Sequence, residues 1–134
     1  MLVSMSIVVG YVPTPEGEAA LTAAVTEARR RQEPLHVLNT AREDSLGNSL
    51  FLDESGVEAL SARLDEAGVS YEIEQLVRGN EAAEEIVDAA DRVNAGLIVI
   101  GLRRRSPTGK LITGSQAQRI LLDANCPVLA VKAD

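Results

Sequence analysis

The stretch Gly101-Leu-Arg-Arg-Arg-Ser-Pro-Thr-Gly-Lys-Leu-Ile-Thr-Gly-Ser115 carries the residue types that bind anions. An apolar run, Leu97–Ile100, precedes it, and a helical pattern of Ala117, Ile120, Leu121 and Ala124 follows. A strand, then a loop bearing Gly and Arg, then a helix start brings unpaired backbone N–H groups and the positive end of a helix dipole to one spot. A phosphate fits there. The charge map agrees. Between Arg92 and Leu122 there is no Asp or Glu, yet six of the thirteen Lys and Arg residues lie there: Arg92, Arg103, Arg104, Arg105, Lys110 and Arg119. The Gly109-Lys110 pair is not a Walker A loop, because no Gly stands five residues before Gly109 and the helix starts later.

Other reactive residue types point to little chemistry. His36 lies in an apolar strand with no second His or Cys near it, which marks a packed core histidine. Cys126 precedes a Pro in apolar surroundings and reads as an inert core thiol. Glu81, Glu84, Glu85, Asp88 and Asp91 follow the outer face of one helix and read as a solvated face. No group of His, Cys, Asp and Glu has metal-site spacing, and no nucleophile elbow or Ser-His-Asp order is present. The chain reads as a binder or switch, at most a weak ATPase.

The elements that must position the anion loop follow from periodicity. Strand-like runs fall at 6–10, 35–39, 69–77, 97–100 and 127–131, with helical patterns between them. The first helix places Ala20, Leu21, Ala24, Val25 and Ala28 on one face, with Thr14-Pro15 as N-cap and first-turn pair. The second spaces Val57, Leu60, Leu64 and Ala67 and stops at Gly68. The third carries Ala82, Ala83, Ile86, Val87, Ala90 and Val93, with Asn80 as N-cap and Gly96 near its end. The fourth starts at Ser115, with Gln118 at capping-box spacing. Strands alternating with helices call for a parallel sheet with right-handed crossovers. The run at 69–77 alternates polar and apolar residues, which suits an edge. Residues 41–52 show neither period and read as a flexible loop on the ligand side.

Composition bounds the function. With 134 residues, 46% hydrophobic and 25% charged, the chain is expected to form a single domain over 1–134 with its own core. A net charge of −7 argues against nucleic acid and anionic membranes as partners. Three aromatic residues (Tyr11, Phe51, Tyr71) supply no base-stacking platform. No apolar run reaches the roughly 20 residues of a membrane span. A single Cys, with no basic and apolar leader pattern, points to the cytoplasm.

Gly101, Gly114 and Ser115 sit at the spacing of a nucleotide signature: a Gly, two residues, a Gly, nine residues, then Gly-Ser or Gly-Thr. With Ile7-Val-Val-Gly10, Pro15-Glu-Gly-Glu-Ala-Ala-Leu21, Leu35–Thr40 and Cys126-Pro-Val-Leu-Ala-Val131, the chain resembles the universal stress protein family over its whole length. The resemblance implies a three-layer, doubly wound, Rossmann-like α/β fold, its five-stranded parallel sheet in the order 3-2-1-4-5. It implies an adenine nucleotide (ATP, or AMP or a related ligand, with Mg²⁺ as companion ion) between the first and fourth strands. Ile100, Gly101, Gly114, Ser115 and the backbone of Gln116 would hold phosphates, and Arg103 and Arg104 would add charge. Gly10, Tyr11 and Val12 would line the ribose side, with the backbone of Thr40 at the adenine edge. It also implies a homodimer through the last strand, Val128–Val131, and a regulatory protein partner. Two residues depart from the pattern. Arg104 replaces the second Gly of the signature, and Val12 stands where many nucleotide-binding members carry an acid. The alternative is a nucleotide-free interaction module whose pocket has degraded.

Overall fold

A computed structural model of the chain describes residues 5–42, 51–78, 81–102 and 115–133. Its elements alternate: β1 (Ser6–Gly10), α1 (Pro15–Arg31), β2 (Leu35–Arg42), α2 (Glu54–Ala67), β3 (Tyr71–Arg78), α3 (Ala82–Arg92), β4 (Ala95–Leu102), α4 (Ser115–Asp123) and β5 (Val128–Lys132). Every strand pair is parallel, and the order across the sheet is β3-β2-β1-β4-β5. This is the doubly wound, Rossmann-like order, with β3 at an edge as its alternation predicts. β1 and β4 lie side by side, Val8 opposite Ile98 and Val9 opposite Val99. The winding reverses between them, so their carboxyl ends open onto a common crevice.

The period-2 geometry of a strand divides the core into two layers. Ile7, Val9, Val37 and Val99 pack against Leu21 of α1 and Leu60 and Leu64 of α2. Val8, Leu38, Ile98 and Ile100 pack against Ile86 of α3 and Ile120 of α4. Ile7, Val8 and Val9 are wholly buried, so β1 is covered on both faces. Burial of each such side chain contributes about 2 kcal/mol.

Helix ends show which local signals decided. Thr14 caps α1, its Oγ1 accepting from the Gly17 amide at 3.1 Å, with Pro15 in the first turn. Asp53 caps α2 in the same way through Gly56, at 2.8 Å, so that helix begins three residues before Val57. Gly68 ends α2 with φ 76°, as expected. α3 departs from expectation at both ends. Its N-cap position is Glu81, which makes no capping bond with its own side chain, and Asn80 lies outside the described residues. The left-handed residue after it is Asn94 (φ 54°), and Gly96 belongs to β4. Asn tolerates this conformation because its short polar side chain relieves the Cβ conflict. Ala41 and Arg42 continue β2 rather than opening a loop, since β3 pairs with them out to Arg78; residues 43–50 lie outside the described set.

Candidate functional site

The crevice is built from strand exits and helix starts. At the β1 exit, a Cβ on Gly10 would lie 2.8 Å from Ile86 Cδ1, so the tip of that side chain would have to shift. Tyr11 turns its ring into the core on the α1–α2 side, where it is 4% exposed. Its hydroxyl donates to Glu18 Oε2 at 2.6 Å, and Arg63 of α2 binds the same carboxylate through both terminal nitrogens. Burial, then the Glu18 carboxylate, push the Tyr11 phenol above its ordinary value. The Arg63 guanidinium holds the Glu18 carboxyl below the usual carboxylate range. Tyr11 therefore offers the crevice its backbone and not its ring. Val12 is half-buried, and its carbonyl accepts from the Thr14 amide at 2.8 Å.

At the β4 exit, Ile100 is buried and Gly101 half-buried. A Cβ at Gly101 would run into the backbone carbonyl of Glu16 in the first turn of α1. The first Gly of the signature thus has a packing reason: it lets the α1 N-terminus close over the tip of β4. Thr40 stands half-buried at the β2 exit, opposite Leu76.

The start of α4 comes next. Ser115 opens the helix, and the Gln116 side chain crosses to α3. Gln116 Oε1 accepts from the Ala83 amide at 2.9 Å, and its Nε2 donates to Glu81 Oε2 at 2.8 Å. Gln116 thereby supplies the cap that α3 lacks and fastens two helix N-termini together. As at the start of any α-helix, its backbone amide and those of Ser115 and Ala117 have no acceptor within α4 itself. Arg103, Arg104 and Gly114 lie outside the described residues, as do Arg105 and Lys110. The other two cations of the acid-free window face acids of the chain itself: Arg92 lies 3.0 Å from Glu74 and Arg119 2.9 Å from Glu84.

His36 is buried, as expected, and its Nε2 donates to the Glu74 carboxylate at 2.7 Å. Cys126 is half-buried, and burial, with Asp91 adding to it, pushes the thiol up, consistent with an inert group. Glu85 is a correction. It is 2% exposed rather than solvated, because it lies on the flank of the apolar stripe of α3 with Ala89, one turn on. Among the described residues no cluster of three His, Cys, Asp or Glu has metal-binding geometry, and no helix is long and apolar enough to cross a membrane. The sequence reading missed Asn39, a wholly buried polar residue ending the apolar run of β2; its one signal was a polar residue where that run stops.

A sheet whose winding reverses between β1 and β4, with helix N-termini gathered at the carboxyl tips, defines a doubly wound α/β protein with its crevice at the switch point. The universal stress protein family model matches residues 5–132. A universal stress protein of Mycolicibacterium smegmatis is 45% identical over 126 residues, covering 94% of this chain and 96% of its own. The solved structure of a universal stress protein from Archaeoglobus fulgidus superposes with a TM-score of 0.83 at 37% identity, covering 97% of this chain and all of the other. A second, the universal stress protein from Archaeoglobus fulgidus in complex with dAMP, gives 0.70 at 32% identity, covering 98% and 100%. The chain belongs to the universal stress protein family.

Proposed function

We propose that this protein is a cytoplasmic stress-response regulator that binds an adenine nucleotide, ATP in the first instance, at the β1–β4 switch point. The observation that carries the reading is the packing of Gly101 under Glu16, which brings the α1 N-terminus over the tip of β4, next to β1 at the switch point where such sheets take ligands. The relative solved with dAMP adds the ligand class. Ser115, Gln116 and Gly114 offer backbone amides to phosphate, and Arg103 and Arg104 add charge; Gly10, the backbone of Tyr11, and Val12 line the ribose side, and Thr40 the adenine edge. Mg²⁺ enters this reading as the companion ion of the phosphates.

Nucleotide occupancy then selects a protein partner. Among the described residues β5 pairs with β4 alone and carries Leu129 38% exposed, an edge that a second copy covers by antiparallel pairing through Val128–Val131. Light scattering on a gel-filtration column is expected to give twice the chain mass at micromolar concentration, and a monomer mass refutes the dimer.

Calorimetric titration with ATP and Mg²⁺ tests the ligand. Binding is expected in the wild type and its loss in Gly114→Asp, which sets a carboxylate beside the phosphates. An absence of heat at about 100 µM protein, a concentration that detects affinities down to that order, together with no nucleotide released on denaturing the purified protein, removes the nucleotide reading. That result favours the interaction-module alternative, for which Val12 at the β1 exit, in place of an acid, is the supporting observation.

A further inference from the structure

Asn39 sits in the carboxyl half of β2, beside the β1 exit, with no solvent exposure, and the signature does not point to it. Its side chain bonds in both directions. Nδ2 donates to the Tyr11 carbonyl at 2.9 Å, while Oδ1 accepts from the Leu52 amide and from Gln75 Nε2, each at 3.0 Å. Gln75 Nε2 also reaches the Leu52 carbonyl, at 2.8 Å. Three stretches of chain therefore meet on one amide: the exit of β1, the residue leading into α2, and β3. We propose that Asn39 is a positioning residue for the nucleotide site, setting where the Tyr11–Val12 backbone stands relative to Thr40. The inference rests on the nucleotide reading above.

The chemistry selects an amide at this position. The backbone ladder between β1 and β2 runs to Gly10 opposite Leu38, with the Tyr11 amide donating to the Leu38 carbonyl at 2.9 Å. For the Tyr11 carbonyl the partner comes from a side chain, that of Asn39. An Asp there has no donor for that carbonyl and buries a charge; a Leu satisfies neither Tyr11 nor Leu52. The next residue is pinned independently, since the Val12 carbonyl lies against Gly17, where a Cβ would collide with it. The β1 exit is thus held on its β2 side by Asn39 and on its α1 side by the helix start. Loss of Asn39 frees the first of these while leaving α4, the phosphate end, untouched.

The test titrates the intact chain with ATP and measures inorganic tripolyphosphate by its displacement of ATP, in wild type, Asn39→Leu and Gln75→Leu, both substitutions being neutral. Expected are an ATP affinity about tenfold weaker in Asn39→Leu and about threefold weaker in Gln75→Leu, with tripolyphosphate affinity unchanged in both. Equal weakening of both ligands makes Asn39 a general structural residue and overturns the proposal. So does unchanged ATP affinity in folded variants. If Asn39→Leu fails to fold, Gln75→Leu decides by the same criterion. A wild type that binds no ATP is a different failure: it ends the nucleotide reading, and this inference with it.

Discussion

The β2–β3 pair is fastened differently near its entry and midway along, beside the β1 exit. Near the entry, His36 stands opposite Glu72, and its Nε2 shares Glu74 Oε1 with Arg92 at 2.7 and 3.0 Å. Three residues along the same ladder, Asn39 stands opposite Gln75, and the bonds there run between neutral amides and backbone. The charged fastening lies away from the crevice and the neutral one beside it. A neutral amide satisfies buried backbone groups without placing a fixed charge where an anion would sit. The exit end is therefore the end where shape matters most, and the entry end is the one that feels pH.

The sharpest way to break this contrast is at Gly17. An alanine methyl there meets the Val12 backbone, which cannot swing aside as a side chain can. Gly17→Ala is expected to lose about 3 kcal/mol in urea unfolding. Wild-type stability in that variant would show that the exit end is not rigid. Asn39→Leu comes next, with a loss of about 2 kcal/mol that is the same at about pH 5 and about pH 8, because no ionisable group is removed.

The entry end should behave in the opposite way. Burial raises the Glu74 carboxyl, but hydrogen bonds from His36 and Arg92 outweigh it and hold the group below the usual range. A carboxyl whose folded pKa lies below its unfolded value stabilises the fold above the unfolded value, about 4.3, and loses that contribution as pH falls through the folded one. Glu74→Gln is expected to cost about 1 kcal/mol near pH 7, and the gap from wild type should close as acid is added. Melting curves in which the gap stays constant down to about pH 3 would remove Glu74 as the pH-sensitive fastening.

Much of the frame was legible in the chain. Thr14-Pro15 and Gly68 declare helix boundaries through local turn chemistry, and the run at Ile7–Val9 declares a strand covered on both faces. The same local reasoning failed at α3, because its cap comes from Gln116 on another helix. It failed at Glu85, which lies on the border of an apolar stripe that only the packed neighbours make into an inside. Leu121 also departs from the pattern: the period put it on the buried face of α4, and the structure leaves it 52% exposed while Ala117 and Ile120 carry the contact.

Taken alone, the amino-acid order decided the alternation of strands and helices, because that depends on periodicity and on residues within a turn of each other. Strand order needed the family resemblance as well. Only tertiary structure decided that Tyr11 turns inward to Glu18, that Gln116 caps a distant helix, and that Asn39 joins three segments. The partners of Gln116 and Asn39 lie far apart along the chain, that of Tyr11 two helical turns away, and a hydrogen bond between such groups forms within a few tenths of an ångström or not at all. Such a requirement leaves no period in the sequence.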